Sequence, residues 1–265
     1  MKKRIRFSTT ALTIAAALVV AMVCYVRDNE PQVPRHEYIA HGGGMIDSLH
    51  YTNSLEAIEQ AVAHGATCIE LDLVVSADSE LIAHHICPDL ATDYTTYPPS
   101  IAEFLSTPLI GVNGKTYTPL SWREINEYFL SHPQLTLVVD KLDDPKLLAR
   151  YFPQLKHQMI VECFSVEHYV AVSQAGFKQA ILSERAISMV DILLQDMKHL
   201  LDDDEPRIDL LGLSRYTYDE SLSRRWQCRL LNLPLVVWTA SNRSQADEFF
   251  EQTGARMVYC DNLTP

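Results

Sequence analysis

The sequence predicts an α/β fold of the (β/α)8 TIM-barrel type, and three observations carry that expectation. Eight short apolar runs recur at 38–41, 68–74, 135–140, 158–162, 178–182, 208–213, 235–239 and 256–260. Most are continuously apolar rather than alternating, which is the pattern of parallel strands covered on both faces. Helical patterns separate them at 53–64, 121–131, 165–175, 187–202, 219–231 and 243–253. Eight strands alternating with helices over about 230 residues fit a closed barrel better than a doubly wound sheet.

The elements follow in order. The first strand ends at His41 and runs into Gly42-Gly43-Gly44. Asn53 is expected to cap the helix 53–64. After strand 68–74, Ser76-Ala77-Asp78-Ser79 reads as a turn and 80–85 as a returning strand, so a β-hairpin insertion follows the second strand. A turn centred between Asp78 and Ser79 would set Asp72 opposite His85. Residues 86–117, with Tyr94, Tyr97 and Tyr117, are long for a barrel loop and read either as a lid or as an ordinary excursion. Ser121-Trp122-Arg123-Glu124 is a capping-box signature for the helix 121–131. The sequence stops soon after the eighth strand, so the last helix of a full barrel is expected to be missing.

At 265 residues the chain has room for one large domain or two small ones, and 47% apolar composition supplies a core. Nine Gly, 13 Pro and 21% charged residues exclude collagen, coiled coil and wholesale disorder. With 34 acidic against 22 basic residues, a net charge of −12 and no basic tail, no nucleic-acid partner is expected. Residues 1–26 hold four basic side chains and no acidic ones, so the remainder carries a net −16. An acidic body that handles an anion needs a local device such as a bound cation.

Residues 11–26 are apolar or aromatic apart from Thr13. Extended back towards Phe7, the run reaches about 16–20 residues, the short end of what spans a bilayer. Lys2, Lys3, Arg4 and Arg6 before it and Asp28 and Glu30 after it place the N-terminus in the cytoplasm and the body outside. The run lacks a small-x-small cleavage site, which favours an uncleaved membrane anchor over a signal peptide. Cleavage would instead make the body secreted. The expected organisation is a signal or anchor segment over 1–27, a linker over 28–37 and the barrel over 38–265. Six cysteines show no zinc-type spacing; Cys68, Cys163 and Cys260 lie in apolar runs and read as buried small hydrophobes. Nothing in the sequence fixes an oligomeric state.

Glu70-Leu71-Asp72 is the most informative tripeptide. Residues two apart on a strand share a face, and two buried unpaired carboxylates would be costly. A divalent cation, Ca²⁺ or Mg²⁺, removes that cost with hard oxygen ligands; pairing with a buried Lys or Arg is the alternative. His41 sits at a strand C-terminus, where barrels carry their active sites. The glycines after it let a backbone approach a ligand or form an anion nest. Asp140-Lys141 ends the third strand: Asp140 can complete the carboxylate set, and Lys141 can neutralise a phosphoryl oxygen or simply pair with Asp143 or Asp144. Trp238-Thr239 ends the seventh strand, where the indole can line a pocket or fill the core.

These residues together resemble the glycerophosphodiester phosphodiesterase family, barrels related to the phosphatidylinositol-specific phospholipases C. The resemblance rests on Ile39-Ala40-His41-Gly42-Gly43, Asn53-Ser54-Leu55-Glu56-Ala57, Ile69-Glu70-Leu71-Asp72, Ser76-Ala77-Asp78-Ser79, His85, Asp140-Lys141, Val237-Trp238-Thr239 and Val258-Tyr259-Cys260-Asp261. It implies metal-dependent hydrolysis of a small glycerophosphodiester to an alcohol and glycerol phosphate. His41 and His85 would act as acid and base, assisted by Lys141, with Glu70, Asp72 and Asp140 on the cation. Gly42, Gly43, Asn53 and Trp238 would contact substrate. His84 is the rival to His85, since a register slip of one would exchange them. Departures mark a divergent branch: Gly42 stands where Arg is usual, Thr52 for an acidic residue, Ile86 for Asp and Asp140 for Glu. A membrane-lipid phospholipase and a catalytically inactive binding barrel are the alternative readings.

Overall fold

The computed structural model describes residues 17, 18, 20, 21, 36–86, 88–92, 94, 97–183, 188–202, 204–221, 225, 226, 228, 229 and 232–264. The expected N-terminal apolar segment falls outside them apart from four positions, as do Cys24 and Cys87. Among the described residues no helix is long and apolar enough to cross a membrane.

The strands in chain order are β1 (Glu37–Ala40), β2 (Cys68–Val75), β3 (Leu81–Ala83), β4 (Leu109–Ile110), β5 (Thr116–Tyr117), β6 (Leu120–Ser121), β7 (Thr136–Asp140), β8 (Met159–Cys163), β9 (Gln179–Ser183), β10 (Leu211–Ser214), β11 (Leu235–Ala240) and β12 (Met257–Cys260). Eight of them pair in parallel in the cyclic order β1-β2-β7-β8-β9-β10-β11-β12, and β1 bonds both β2 and β12, which closes the barrel. The TIM-barrel expectation therefore holds, with all eight strands where the apolar runs placed them.

Helices α1 (Leu55–Ala63), α2 (Ile101–Ser106), α3 (Trp122–Ser131), α4 (Pro145–Tyr151), α5 (Val166–Gln174), α6 (Met189–Leu201), α7 (Arg215–Glu220) and α8 (Arg243–Thr253) lie between the strands. The α3 capping box forms as Ser121 and Glu124 predict. Two helices, α2 and α4, were not expected. Where a helix was expected over 219–231, α7 starts earlier, directly after β10, and part of that range lies outside the described residues. Asn53 does not cap α1. Ser54 does, its hydroxyl accepting from the Ala57 N–H, while Asn53 takes a left-handed φ of +49° and turns inward.

Alternation along each strand builds two cores. Ile39, Cys68, Val138, Ile160, Ile181, Leu210, Val236 and Met257 fill the barrel interior. Their neighbours, such as Ala40, Ile69, Leu71, Leu137, Val139, Val161 and Val237, pack outward under the helices. Both faces are covered, which is why the runs are continuously apolar. A satellite core of Ile46, Leu49, Ile82, Phe104, Leu109 and Tyr117 lies under the 86–117 excursion, which carries α2 and the β4–β5 pair.

The hairpin forms, but its register differs from expectation by one. Leu73 faces Ala83 and Val75 faces Leu81. The Ser76 N–H donates to the Glu80 carbonyl at 2.8 Å, closing a three-residue loop in which Ser79 has φ +65°. A three-residue loop centres the hairpin on Asp78. It is thus the His84 N–H that reaches the Asp72 carbonyl, at 2.9 Å. Strand pairing then stops at Ala83; along its other edge β3 pairs with β6 through the same Ile82 and Ala83.

Candidate active site

One rule of chain geometry assembles the site. Two positions beyond the apolar interior layer, at the C-terminal ends of the strands, stand His41 after Ile39, Asp140 after Val138, Glu162 after Ile160, Ser183 after Ile181, Trp238 after Val236 and Tyr259 after Met257. These residues line a cavity of about 340 Å³ with Tyr51, Asp72, His85, Lys141, Phe164 and Thr239. The chain enters β1 at Glu37, at the opposite end of the barrel.

Glu70, Asp72 and Asp140 converge, with ligand oxygens within 4.8 Å of one another. Glu70 is 1% exposed. Its Oε2 accepts the Gly42 N–H at 2.6 Å, and its Oε1 is buried without a hydrogen-bond partner among the described residues. Burial raises the Glu70 carboxyl well above its usual range; the charges of Asp72 and Asp140 add to this, and only the Gly42 N–H opposes it. Asp72 is held by Asn53, whose Nδ2 donates to Oδ2 at 3.0 Å and whose Oδ1 accepts the Asp72 N–H at 2.9 Å. An orphaned buried carboxylate oxygen beside two further carboxylates fits a hard divalent cation. The alternative partner, a buried Lys or Arg, is only partly realised. Lys141 Nζ sits 2.5 Å from Asp140 Oδ2 and 3.6 Å from Asp72 Oδ1, yet Lys141 is half exposed. Burial pulls its ammonium down, but the Asp140 hydrogen bond and the surrounding carboxylates outweigh that, and the net shift is upward. Asp143 and Asp144 do not pair with it: Asp144 caps α4.

The two expected histidines both line the cavity, held differently. His41 Nδ1 lies 2.9 Å from Asp261 Oδ1, and its ring meets Tyr51 and Tyr259 edge-on at 4.6 and 5.3 Å. His85 also packs against Tyr51, 5.5 Å between ring centroids, with its Nδ1 buried and without a hydrogen-bond partner among the described residues. Tyr51 thus touches both imidazoles. Burial, then the charges of Asp261, Glu70 and Asp72, push its phenol up to about 12, so it stays protonated. His84, the rival, is not at the cavity. It is enclosed by Tyr94, Tyr97 and Phe104, and burial lowers its pKa to about 4. The register argument therefore missed by one residue while the residue it chose reaches the site, because alternation ends where strand pairing ends, at Ala83.

Of the expected substrate contacts, Trp238 lines the cavity, whereas Gly42 and Asn53 bond the carboxylates of Glu70 and Asp72 and Gly43 lies against Ala57 and Ile58 of α1. Gly42 has φ +57°, and a Cβ there would lie 2.6 Å from the Tyr51 Cα, so no side chain fits. The Trp238 indole occupies space left by Gly212, where an added Cβ would fall 2.5 Å from the ring. Tyr51, Glu162, Ser183 and the His41 partner role of Asp261 were not read from the sequence. For Glu162 and Ser183 a signal existed: each lies two residues past an interior Ile at a strand's C-terminal end.

The sequence matches the model of the glycerophosphoryl diester phosphodiesterase family over residues 44–207, more than half of the chain. No curated protein sequence matches it significantly. Among solved structures, a glycerophosphoryl diester phosphodiesterase from Parabacteroides distasonis superposes with a TM-score of 0.65 at 14% identity, covering 92% of this chain and 88% of that one. A second, assigned the same activity, from Silicibacter pomeroyi gives 0.62 at 16% identity, covering 88% and 91%. A phosphodiesterase from Oleispira antarctica, in complex with the product sn-glycerol-3-phosphate, gives 0.62 at 14% identity, covering 86% and 93%. At these identities the likeness is one of fold.

Proposed function

The chain belongs to the glycerophosphoryl diester phosphodiesterase family of phosphoric diester hydrolases, and from that premise we propose that Glu70, Asp72 and Asp140 hold a divalent cation while His41 and His85 carry the protons. The observation that carries this reading is the unbonded Glu70 Oε1 beside Asp72 and Asp140, two carboxylates that line the cavity both histidines share. The Oleispira relative's glycerol phosphate product supports a small glycerophosphodiester as substrate. Ca²⁺ and Mg²⁺ both suit the all-oxygen set.

A divalent cation there would polarise a phosphoryl oxygen. The remaining work falls to side chains. Asp261 accepts from His41 Nδ1–H, leaves Nε2 free to take a proton and stabilises the imidazolium that results. His41 is accordingly the base. It removes the proton from the attacking hydroxyl of the glycerol moiety as that oxygen bonds to phosphorus. His85 protonates the departing alkoxide as its P–O bond breaks. Water then opens the cyclic ester with the two roles reversed. Lys141, at the cavity wall, neutralises charge growing on the phosphoryl oxygens. Tyr51 packs against both imidazoles and helps to hold them in place. The N-terminal run 11–26 would anchor the body outside the cytoplasm, with the catalytic mouth at the barrel end opposite the chain's entry.

A second reading, attack on intact membrane lipid, is favoured by one feature: Ile86 (68% exposed) and Val112 (62%) leave apolar surface on the excursion that begins beside His85. One assay separates the readings. Full-length protein in detergent is incubated with glycerophosphodiesters or with phosphatidylcholine vesicles, each with Ca²⁺, Mg²⁺ or chelator. Release of glycerol phosphate from the soluble diesters that stops in chelator is expected. Turnover confined to vesicles would support the second reading, and no turnover with either would leave an inactive barrel.

A further inference from the structure

The chain between β1 and α1 bends to bring one ring to the cavity. Tyr51 has φ +53° and Asn53 φ +49°, and a bulky aromatic residue seldom takes that left-handed backbone. Bonded neighbours hold it there. On one side the His50 N–H donates to Asp89 Oδ2 at 2.7 Å, and His50 Nδ1 lies 3.1 Å from the same oxygen. On the other the Asn53 N–H donates to the Gly42 carbonyl at 3.0 Å, and Asn53 Nδ2 reaches both the Tyr51 carbonyl, at 3.3 Å, and Asp72. Gly42 completes the arrangement. A Cβ there would lie 2.6 Å from the Tyr51 Cα, 3.1 Å from its Cδ1 and 3.3 Å from its Cβ, so Tyr51 fills the space that a side chain at 42 would take. Tyr51 lines the cavity, its ring centroid 4.6 Å from that of His41 and 5.5 Å from that of His85. Burial first, then the charges of Asp261, Glu70 and Asp72, keep its phenol protonated against the opposing charge of Lys141. The hydroxyl is therefore a hydrogen-bond donor within the field of the catalytic carboxylates.

A ring that only packed against the imidazoles would need no hydroxyl. The in-line reaction gives it a task. With His41 and His85 at the attacking and leaving oxygens, the non-bridging oxygens of phosphorus project sideways from the line between them. A residue that touches both imidazoles stands beside that line and faces those oxygens. Lys141 is the lysine or arginine among the residues lining the cavity, and its ammonium is already bound to Asp140 at 2.5 Å. We propose that the Tyr51 hydroxyl donates a hydrogen bond to a non-bridging phosphoryl oxygen, a bond that strengthens as charge grows there in the transition state, and that Tyr51 is thereby a catalytic residue. The inference rests on the proposed phosphodiester hydrolysis and adds a donor to it. Gly42 serves the same end, since any side chain there would displace Tyr51. The phenol keeps its proton throughout, because the surrounding carboxylates disfavour a phenolate.

The test is Tyr51→Phe in the full-length protein, which keeps the ring against both imidazoles and removes only the hydroxyl. With glycerophosphocholine and Ca²⁺ or Mg²⁺, kcat is expected to fall by about 10²-fold. KM should change far less, because the bond tightens in the transition state. The pH–rate profile should keep its shape and drop evenly, since the histidines are not displaced. Calorimetry with sn-glycerol-3-phosphate in the presence of the divalent cation provides a readout without turnover. This monoester carries more negative charge than the diester, so its affinity should weaken by about 10-fold in Tyr51→Phe. Calorimetry also counts filled sites, so a partly unfolded sample does not imitate the loss. Full activity in Tyr51→Phe, or an unchanged affinity for glycerol phosphate, would overturn the inference. So would a displaced pH profile, which would make Tyr51 a positioning residue for the histidines. If the wild type cleaves no diester yet binds glycerol phosphate through the Tyr51 hydroxyl, the contact stands and the hydrolytic reading falls.

Discussion

The barrel mouth has two unlike halves. Strands β1, β2 and β7 bring His41, Glu70, Asp72, Asp140 and Lys141 together, and nearly every polar atom there is held by another: Gly42 holds Glu70, Asn53 holds Asp72, and Asp261 holds His41. Strands β8 to β12 bring mainly rings and hydroxyls, with Glu162 the carboxylate among them. The charged half is built from residues close in sequence and expressed as short motifs. The aromatic half is built from single residues on separate strands, joined only by barrel closure. Chemistry that must be positioned closely therefore leaves a local signature, while a wall that need only present the right surface leaves little.

The largest effect should come from the charged half. His41→Ala and His85→Ala should each lower kcat/KM for a glycerophosphodiester by about 10²–10⁴-fold; a loss confined to one of them would break the two-histidine scheme. Asp261→Asn should cost about 10²-fold, since the amide neither fixes the His41 tautomer nor stabilises its imidazolium. A pH–rate profile that the variant leaves unshifted would assign Asp261 a packing role only.

The adjacent histidines sharpen the comparison at the level of stability. His84 is buried neutral, its pKa lowered to about 4 from an ordinary 6.5. Between those values the unfolded chain binds a proton that the folded protein refuses. Stability is therefore full above pH 6.5 and falls as pH drops towards 4, by up to about 3 kcal/mol at ~1.4 kcal/mol per pH unit. Urea unfolding at pH 7.5 and 5.0 should show that loss, and His84→Leu should reduce it. An unchanged acid loss in the variant would contradict the burial argument. A smaller effect is expected at Gly42. Gly42→Ala must adopt φ +57° and press on the Tyr51 backbone, costing about 1–3 kcal/mol in chemical denaturation. Gly42→Arg, which restores the residue usual in the family, should be worse rather than better. A stable Gly42→Ala would show that the 51–53 loop moves freely.

Much of this was legible in the sequence. Apolar runs located all eight barrel strands, because a strand covered on both faces must be apolar throughout. The spacing of Glu70 and Asp72 put both carboxylates inside, because alternation on a strand is rigid. The hairpin register was not legible. It depends on whether the loop has two residues or three, and Ser79 in a left-handed conformation settled it. The Ser54 cap was likewise hidden, since Asn53 and Ser54 are both good caps and only the demand of Asp72 for a partner drew Asn53 away. The His41–Asp261 pair spans 220 residues, a contact that barrel closure alone creates.

The central claim is that the acidic trio is a cation site. Calorimetric titration of Ca²⁺ and Mg²⁺ into the wild type and Glu70→Gln at pH 6 and pH 8 tests it most directly. Because the cation requires Glu70 ionised and burial holds that carboxyl high, affinity should rise with pH and binding should release protons. Glu70→Gln should abolish tight binding. Absence of divalent binding to the wild type, or binding that survives Glu70→Gln unchanged, would contradict the account.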